Sequence, residues 1–480
     1  MSDPTVVASR PATDPGGPTG ALATWLNDLD LAAVPLRVRV RATHLLLDGI
    51  GCSLIGAQLP WSRVAVDAVT ALEGAGDATI IGWGRSASGP AAAVLNGTFI
   101  QGFELDDFHP FAPLHSNSLV IPSLFAASEV LGGVTGSQFL LGAIAGFETG
   151  PRVGKALHGA EMISRGWHSG SVFGTHASAA ATSVALGLDA GTIEDALGLA
   201  GTQSAGLMAA QYEAMSKRMH HGLASRNGLY ATGLAARGYT GIKRVFEREY
   251  GGYLSVFGEG HDPDATAITR GLGEQWETES IIVKSYAVMG GLHGAVDAVL
   301  ALTERDGLRA TDVERIHLAI GDAVYHHGWW QPERPLTAIG AQMNIGYAVA
   351  VTLLDHEALP DQFREARLDS DDVWELIGRT TVEHATEFDV PDPTKRFATR
   401  LVITTTDGAE HSITIDQPKG GPANPVTNDD VITKFRAITG RVMDTTRSRA
   451  VENAVLAVGE LDNLSELIDL LADPVGRAID

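Results

Sequence analysis

The amino-acid sequence predicts a mainly α-helical fold with an α+β part: a large all-helical domain built from N- and C-terminal segments, plus a smaller α+β domain. Three observations carry this reading. Ala/Gly-rich segments with helical periodicity fill residues 21–279. Near Arg315 the apolar pattern turns to strict alternation, which marks a half-buried strand. After Asp429 helical periodicity returns. The boundaries are then 1–20 for a flexible Pro/Gly/Thr-rich arm, 21–279 for the first helical part, 280–423 for the α+β domain and 424–480 for the helical return.

Taken in order, Ala21 to about Gly56 is helical, with Leu45–Leu47, Ile50 and Leu54 on the apolar side. Residues Ala78–Gly84 form one short strand or turn, and the Gly-rich stretch around them lacks the βαβ frame of a dinucleotide site. Buried helices are expected over Ile121–Leu131, Ser137–Val153, Gly174–Leu186 and Thr192–Ala210, where small residues permit close packing. A further helix spans Leu229–Arg237, preceded by a loop that carries Lys217, His220 and Arg226. Lys284 precedes a helix bearing His293 and Asp297 at i,i+4. Arg315–Ile320, Thr381–Phe388, Arg400–Thr406 and His411–Ile415 alternate as strands, the last two joined through Asp407-Gly408, a hairpin signal. With helices at Ile345–Leu354 and Val373–Ile377 they predict a small antiparallel α+β unit.

The chain has 480 residues and a formal net charge of −23, which disfavours nucleic acid and anionic membranes as partners. Any anionic substrate would need a local basic pocket. No apolar run reaches the length of a membrane span, and no secretory signal is visible at the N-terminus. Cys52 is the single cysteine, which excludes a disulfide framework and suits a reducing, cytoplasmic setting.

The chemistry gathers in Gly102–Ser118, GFELDDFHPFAPLHSNS, with three carboxylates (Glu104, Asp106, Asp107) and two histidines (His109, His115). His168 lies in a second Gly-flanked loop, and Lys217 and Lys284 each interrupt an apolar stretch. Taken singly, each histidine reads as a hydrogen-bonded structural residue and each lysine as a snorkelling one. Together they mark loops between the same helices, and a lysine in a closed cavity pairs with an anion or loses its proton. His220-His221, His326-His327 and His109 with His115 lack the spacing that fixes metal ligands on one face. There is no GxSxG elbow and no Schiff-base signature.

ELDDFHPFAPLHS, GWHSGSVFG, GLMAAQYEAMSKRMHHGLASRNGL and KSYAVMGGLHGAVDA, in that order, resemble the MmgE/PrpD family, over nearly the whole chain after the arm. The loop form is most similar to the fungal cis-aconitate decarboxylases. The resemblance implies an α+β lid over a helical domain, a homodimer, a small tricarboxylate substrate and no metal or organic cofactor. It implies catalytic roles for His115, His168, Lys217, Lys284, Asp106 and Asp107, and substrate contacts from Glu104, His220, Arg226 and His293. Glu104 stands where the family often has Asp, the loop to His115 is one residue longer, and Met289 replaces a histidine of the animal decarboxylases.

The expected reaction is loss of CO2 from cis-aconitate to give itaconate, with His115 as proton donor and Lys217 and His168 as carboxylate clamps. The alternative is a 2-methylcitrate dehydratase-type hydro-lyase built from the same parts. A catalytically inert acid-binding member of the family is the third reading, and it would tolerate loss of His115 or Lys217, both of which are present.

Overall fold

The computed structural model describes residues 9–389, 397–421 and 423–479; the first eight residues of the expected arm lie outside the described residues. The first helices are α1 (Pro18–Asn27), α2 (Leu36–Gly56) and α3 (Pro60–Glu73). Residues 9–17 run against the start of a later helix. There Arg10 Nη2 donates to Thr192 Oγ1 at 2.8 Å and pairs with Asp195 at 3.2 Å, while Thr13 donates to Glu194. A short hairpin follows, β1 (Ala78–Ile80) and β2 (Arg85–Ala87), so the stretch expected to be one short strand or turn holds a strand and the turn into a second strand.

The helical core comprises α4 (Gly89–Ile100), α5 (Ser116–Val130), α6 (Gly136–Ala156), the short α7 (Gly159–Ser164), α8 (Ser169–Ala185), α9 (Ala190–Gly201) and α10 (Ser216–Ala235). Helix α8 is buried along its whole length and packs against α5, α6, α9 and α10. Its sequence SGSVFGTHASAAATSVA makes this possible, because small side chains let four neighbours approach on all sides. The hydroxyls it buries are satisfied across the contacts: Ser178 donates to the Ser225 carbonyl at 2.7 Å, and Thr182 shares a hydrogen bond with Thr232 at 2.6 Å. Helices α4 and α10 cross where Gly97 meets Gly222. A Cβ on Gly222 would lie 2.2 Å from the Val94 carbonyl oxygen, so a side chain there would force the helices apart.

Two expected boundaries move. The segment after Gly201 is not helical through Ala210, because α9 ends there and the chain runs extended past Gly206, at φ 150°, into a single 3-10 turn, Met208–Gln211. Helix α10 begins at Ser216, so Lys217, His220 and Arg226 sit on the helix rather than in a loop before it.

After α11 (Tyr253–Phe257) the chain reaches α12 (His293–Asp306), β3 (Val313–Ile320), α13 (Asp322–Gly328), α14 (Ala338–Met343), α15 (Ile345–Asp355), α16 (Glu365–Leu368), α17 (Asp371–Gly378), β4 (Thr380–His384), β5 (Thr399–Thr405) and β6 (Glu410–Ile415). The four strands lie in the order β4-β3-β5-β6. Pairs β3–β5 and β5–β6 are antiparallel, but β3–β4 is parallel, so the sheet is mixed and not wholly antiparallel. The reason is the connection: α13 to α17 carry the chain back to the start of the sheet, and β4 enters in the direction of β3. The predicted strand Thr381–Phe388 also ends early, at His384, before a 3-10 turn over Thr386–Phe388. Asp407-Gly408 forms the β5–β6 turn, with Gly408 at φ 85°. Helix α12 packs on β5 and β6, and α15 packs on α12 and α17.

Three helices close the chain: α18 (Asn428–Thr439), α19 (Thr445–Leu456) and α20 (Ser465–Ala472). Helix α18 packs on α2, with the Phe435 and Ile438 side chains against Gly51. The segment after α19 reaches α6, where the Gly136 amide donates to the Leu461 carbonyl, and α20 meets the β1–β2 turn, where the Gly82 amide donates to Leu471. No helix among the described residues is long and apolar enough to cross a membrane.

Candidate active site

His115 is the residue immediately before α5, His168 immediately before α8, and Lys217 is the second residue of α10. Three helix N-termini therefore point at one place. Each carries roughly half a positive charge from its aligned peptide dipoles. Between them and the α+β part lies a cavity of about 480 Å³, lined by Glu104, His115, His168, Lys217 and Lys284 among others. A protein of net charge −23 thus builds a local cationic pocket.

Glu104 organises the cations. It takes up the left-handed conformation (φ 53°) at the end of a 3-10 turn that follows α4, which turns its side chain inward. One carboxylate oxygen accepts from both Lys217 and Arg218, the latter at 2.5 Å; the other accepts from Lys284 at 2.8 Å. Burial pushes the Glu104 carboxyl up, yet Lys217, Lys284, Arg218 and His115 together outweigh it and hold the group well below the usual carboxylate range. Lys217 is pulled down to about 8, chiefly by burial, with Glu104 opposing and Arg218 and Lys284 assisting. Counting Lys217, Arg218 and Lys284 against Glu104 leaves a surplus of positive charge beside the cavity.

The histidines form a second cluster. His115 Nδ1 stands 3.1 Å from Asp106 Oδ2, which leaves Nε2 for the cavity. His168 and His220 share a hydrogen bond between their Nδ1 atoms at 2.8 Å. Burial, then neighbouring imidazoles and Lys217, push His168 well below the ordinary histidine value; burial and Lys217 bring His220 to about 4. Both rings are neutral at pH 7, so they act as hydrogen-bonding groups and not as cations.

The structure does not bring all the expected residues together. Asp107 caps α5, accepting from the amides of Ser116 at 2.8 Å and Asn117 at 3.0 Å, and does not line the cavity. Burial and the adjacent Asp106 push it well above the usual carboxylate range. Arg226 faces Glu73 and Asn227 in a separate groove on the outer side of α10, which His220 also borders. His293 is buried at the start of α12, edge-on to Tyr286, and is not part of the lining. His109 is held between the Ala112 amide and Glu277, as a structural histidine is.

Three contributors escaped the sequence reading. Arg218 is fully buried and donates to Glu104 and, at 2.6 Å, to Gln342. Gln342 in turn donates to the Phe103 carbonyl, fixing the start of the acidic loop. His221 stacks on His168 with ring centroids 4.8 Å apart, lies 5.0 Å from the His115 ring and bonds Ser118 Oγ at 3.1 Å. A signal for His221 exists: with α10 begun at Ser216, Lys217 and His221 stand at i,i+4 on one face.

The order of these motifs can be set beside known proteins. The family model for the MmgE/PrpD N-terminal domain matches residues 20–265, and that for the MmgE/PrpD C-terminal domain matches residues 286–460. The chain belongs to the MmgE/PrpD family. Within it, the chain is 44% identical over 477 residues to the cis-aconitate decarboxylase-like protein oryM of Aspergillus oryzae, covering 96% of this chain and 98% of that protein. It is 40% identical to the cis-aconitate decarboxylase of Aspergillus terreus, over 96% of each. The human cis-aconitate decarboxylase is 25% identical over 95% of each chain. The MmgE/PrpD relationship therefore spans both the helical and the α+β parts that build the cavity.

Proposed function

We propose that this MmgE/PrpD protein is a carboxy-lyase that converts cis-aconitate to itaconate and CO2. The observation that carries the reading is the paired Lys217 and Lys284 ammonium groups on Glu104, lining one cavity with His115. The full-length likeness to fungal cis-aconitate decarboxylases supports the choice of substrate. A tricarboxylate supplies the negative charge that the surplus cations and three helix N-termini lack.

Decarboxylation breaks the bond between the CH2 carbon and its carboxylate. The electron pair forms a new double bond to the central carbon, and the old double bond's electrons move to the far alkene carbon. That carbon takes a proton. His115, oriented by Asp106, delivers it from Nε2, while Lys217 and His168 hold the remaining carboxylates and Lys284 contributes from the start of the lid. In this reading the helical domain comprises 21–279 with 424–480, and residues 280–423 form the lid. The exposed apolar residues of the α10 region and the segment after it (Met215, Tyr230, Leu234, Tyr239, Tyr250) support a homodimer, which the solution mass checks.

Incubation with cis-aconitate in D2O, followed by NMR, tests the reaction. Itaconate with one deuterium in its saturated CH2 group and stoichiometric CO2 is expected. Hydration or dehydration without CO2, or turnover of 2-methylcitrate alone, would place the protein with the hydro-lyases instead.

The Lys217 value yields a pH prediction. Lysine loses its charge as pH rises, so attraction for an anionic substrate is present below about pH 8 and is lost above it. kcat/KM should fall above about pH 8, mainly through a rise in KM; a value constant to pH 9.5 would remove Lys217 from substrate binding.

A further inference from the structure

Behind His115, on the side away from the cavity, lies a group of buried charges that the reaction scheme does not use. Asp48 on α2 is almost wholly buried, and Lys434 of α18 reaches it at 2.6 Å. The same ammonium donates to the carbonyl of Leu105 at 2.5 Å, the residue before Asp106. Lys434 thus joins three stretches of chain that are remote in sequence: α2, the acidic loop and the C-terminal return. One of them carries the carboxylate on which His115 rests.

We propose that Lys434 is a positioning residue for the proton donor: it anchors the Leu105–Asp106 backbone and offsets the carboxylates behind His115, so that His115 can release its proton. The proposal rests on His115 being the donor, as argued above.

The charges around this point can be named element by element. Helix α2 contributes Asp48, Cys52 and, nearer its start, Arg41, whose guanidinium also donates to the Ile281 carbonyl at 2.7 Å. The loop contributes Asp106 and Asp107, with His115 beyond them, and α12 contributes His293. Three carboxylates thus share a space with two fixed cations. Lys434 remains charged although buried: burial lowers it, but Asp48, Cys52 and Asp106 raise it past the ordinary lysine value. Without it, Arg41 alone would face the Asp48 and Asp106 carboxylates, Asp107 being pushed well above the usual carboxylate range by burial and by Asp106. The field at His115 would become more negative, and an imidazolium there would hold its proton more tightly and be a poorer acid. A buried pair made only for stability would show no such link, since a hydrophobic pair can replace it at little cost.

The test compares wild type with K434M, K434Q and the double variant D48N/K434M. The His115 ring is titrated by NMR of histidine-labelled protein, with H115Q used to assign its signal. This readout needs no turnover, so it judges Lys434 even if the substrate assignment fails, while wild-type product analysis judges that assignment separately. K434M and K434Q should raise the His115 midpoint by about one pH unit, the usual size of a near-charge effect. At a pH below both midpoints, where His115 is protonated in each protein, kcat on cis-aconitate should fall by up to about tenfold with KM little changed. The double variant removes both charges of the pair and should bring the midpoint back toward the wild-type position, while kcat stays low because the Leu105 carbonyl is still unanchored. K434Q keeps an N–H donor on the side chain facing Leu105 and decides the matter if K434M does not fold. A midpoint unmoved in K434Q, or a shift that the double variant fails to reverse, overturns the proposal.

Discussion

Replacing His115 by glutamine should lower kcat by roughly 10²- to 10⁴-fold, the range that general acid catalysis is worth, with only a modest change in KM. Glutamine keeps the size of the side chain and a donor toward Asp106, so the loop should hold its shape. What is lost is a group that can protonate carbon. His168→Gln makes the matching control. Its imidazole is neutral and already bonded to His220, so its loss should weaken substrate holding more than the chemical step. If H168Q abolishes kcat while H115Q keeps it, the donor is His168 and the two roles exchange. Steady-state kinetics at saturating cis-aconitate separates the cases, since a lost transition-state interaction lowers kcat and kcat/KM together.

The second large effect concerns stability. Glu104→Gln leaves Lys217, Arg218 and Lys284 facing one another without their shared carboxylate. Breaking a buried ion pair from one side costs about 3–5 kcal/mol, because a charge stays buried and uncompensated. The melting temperature at pH 7 should drop by several degrees, and Lys217 should lose its proton nearer neutrality. The sign with pH follows from the depressed Glu104 carboxyl. Its contribution is complete above the unfolded-state carboxylate value and is lost only as pH falls toward its low folded-state value. The gap between wild type and E104Q should widen as pH falls from 8 to about 6, where the variant has to charge its more depressed Lys217, then hold to about pH 5 and close in stronger acid. A gap that goes on widening below about pH 5 would mean that Glu104 is not ionised in the folded protein.

Most of the site was legible because its residues sit where helices begin. His115 and His168 are flanked by glycine, proline and serine, which end one element and start another, and short polar motifs of that kind stand out against Ala-rich helices. Glu104 was legible as part of an acidic cluster but not as the partner of three cations, two of which come from a helix more than a hundred residues later. Placing the start of α10 too late hid the helix face shared by Lys217 and His221. Arg226 looked equivalent to Lys217 in composition, yet it stands on the outer side of α10. The strands of the α+β part were visible from alternation and from Asp407-Gly408, whereas the parallel entry of β4 depends on how five short helices route the chain, which no local pattern encodes.

The return of the C-terminal helices also constrains how the protein can be made. A ribosome releases α2 nearly four hundred residues before α18, yet Phe435 and Ile438 are what cover the Gly51 face of α2, and Lys434 is what fills the space beside Asp48. Until those residues emerge, the nascent chain carries an uncovered apolar helix face and an unpaired acidic group. Chains usually fold domain by domain from the N-terminus during synthesis. Here α2, among the first helices to be translated, is among the last to be covered.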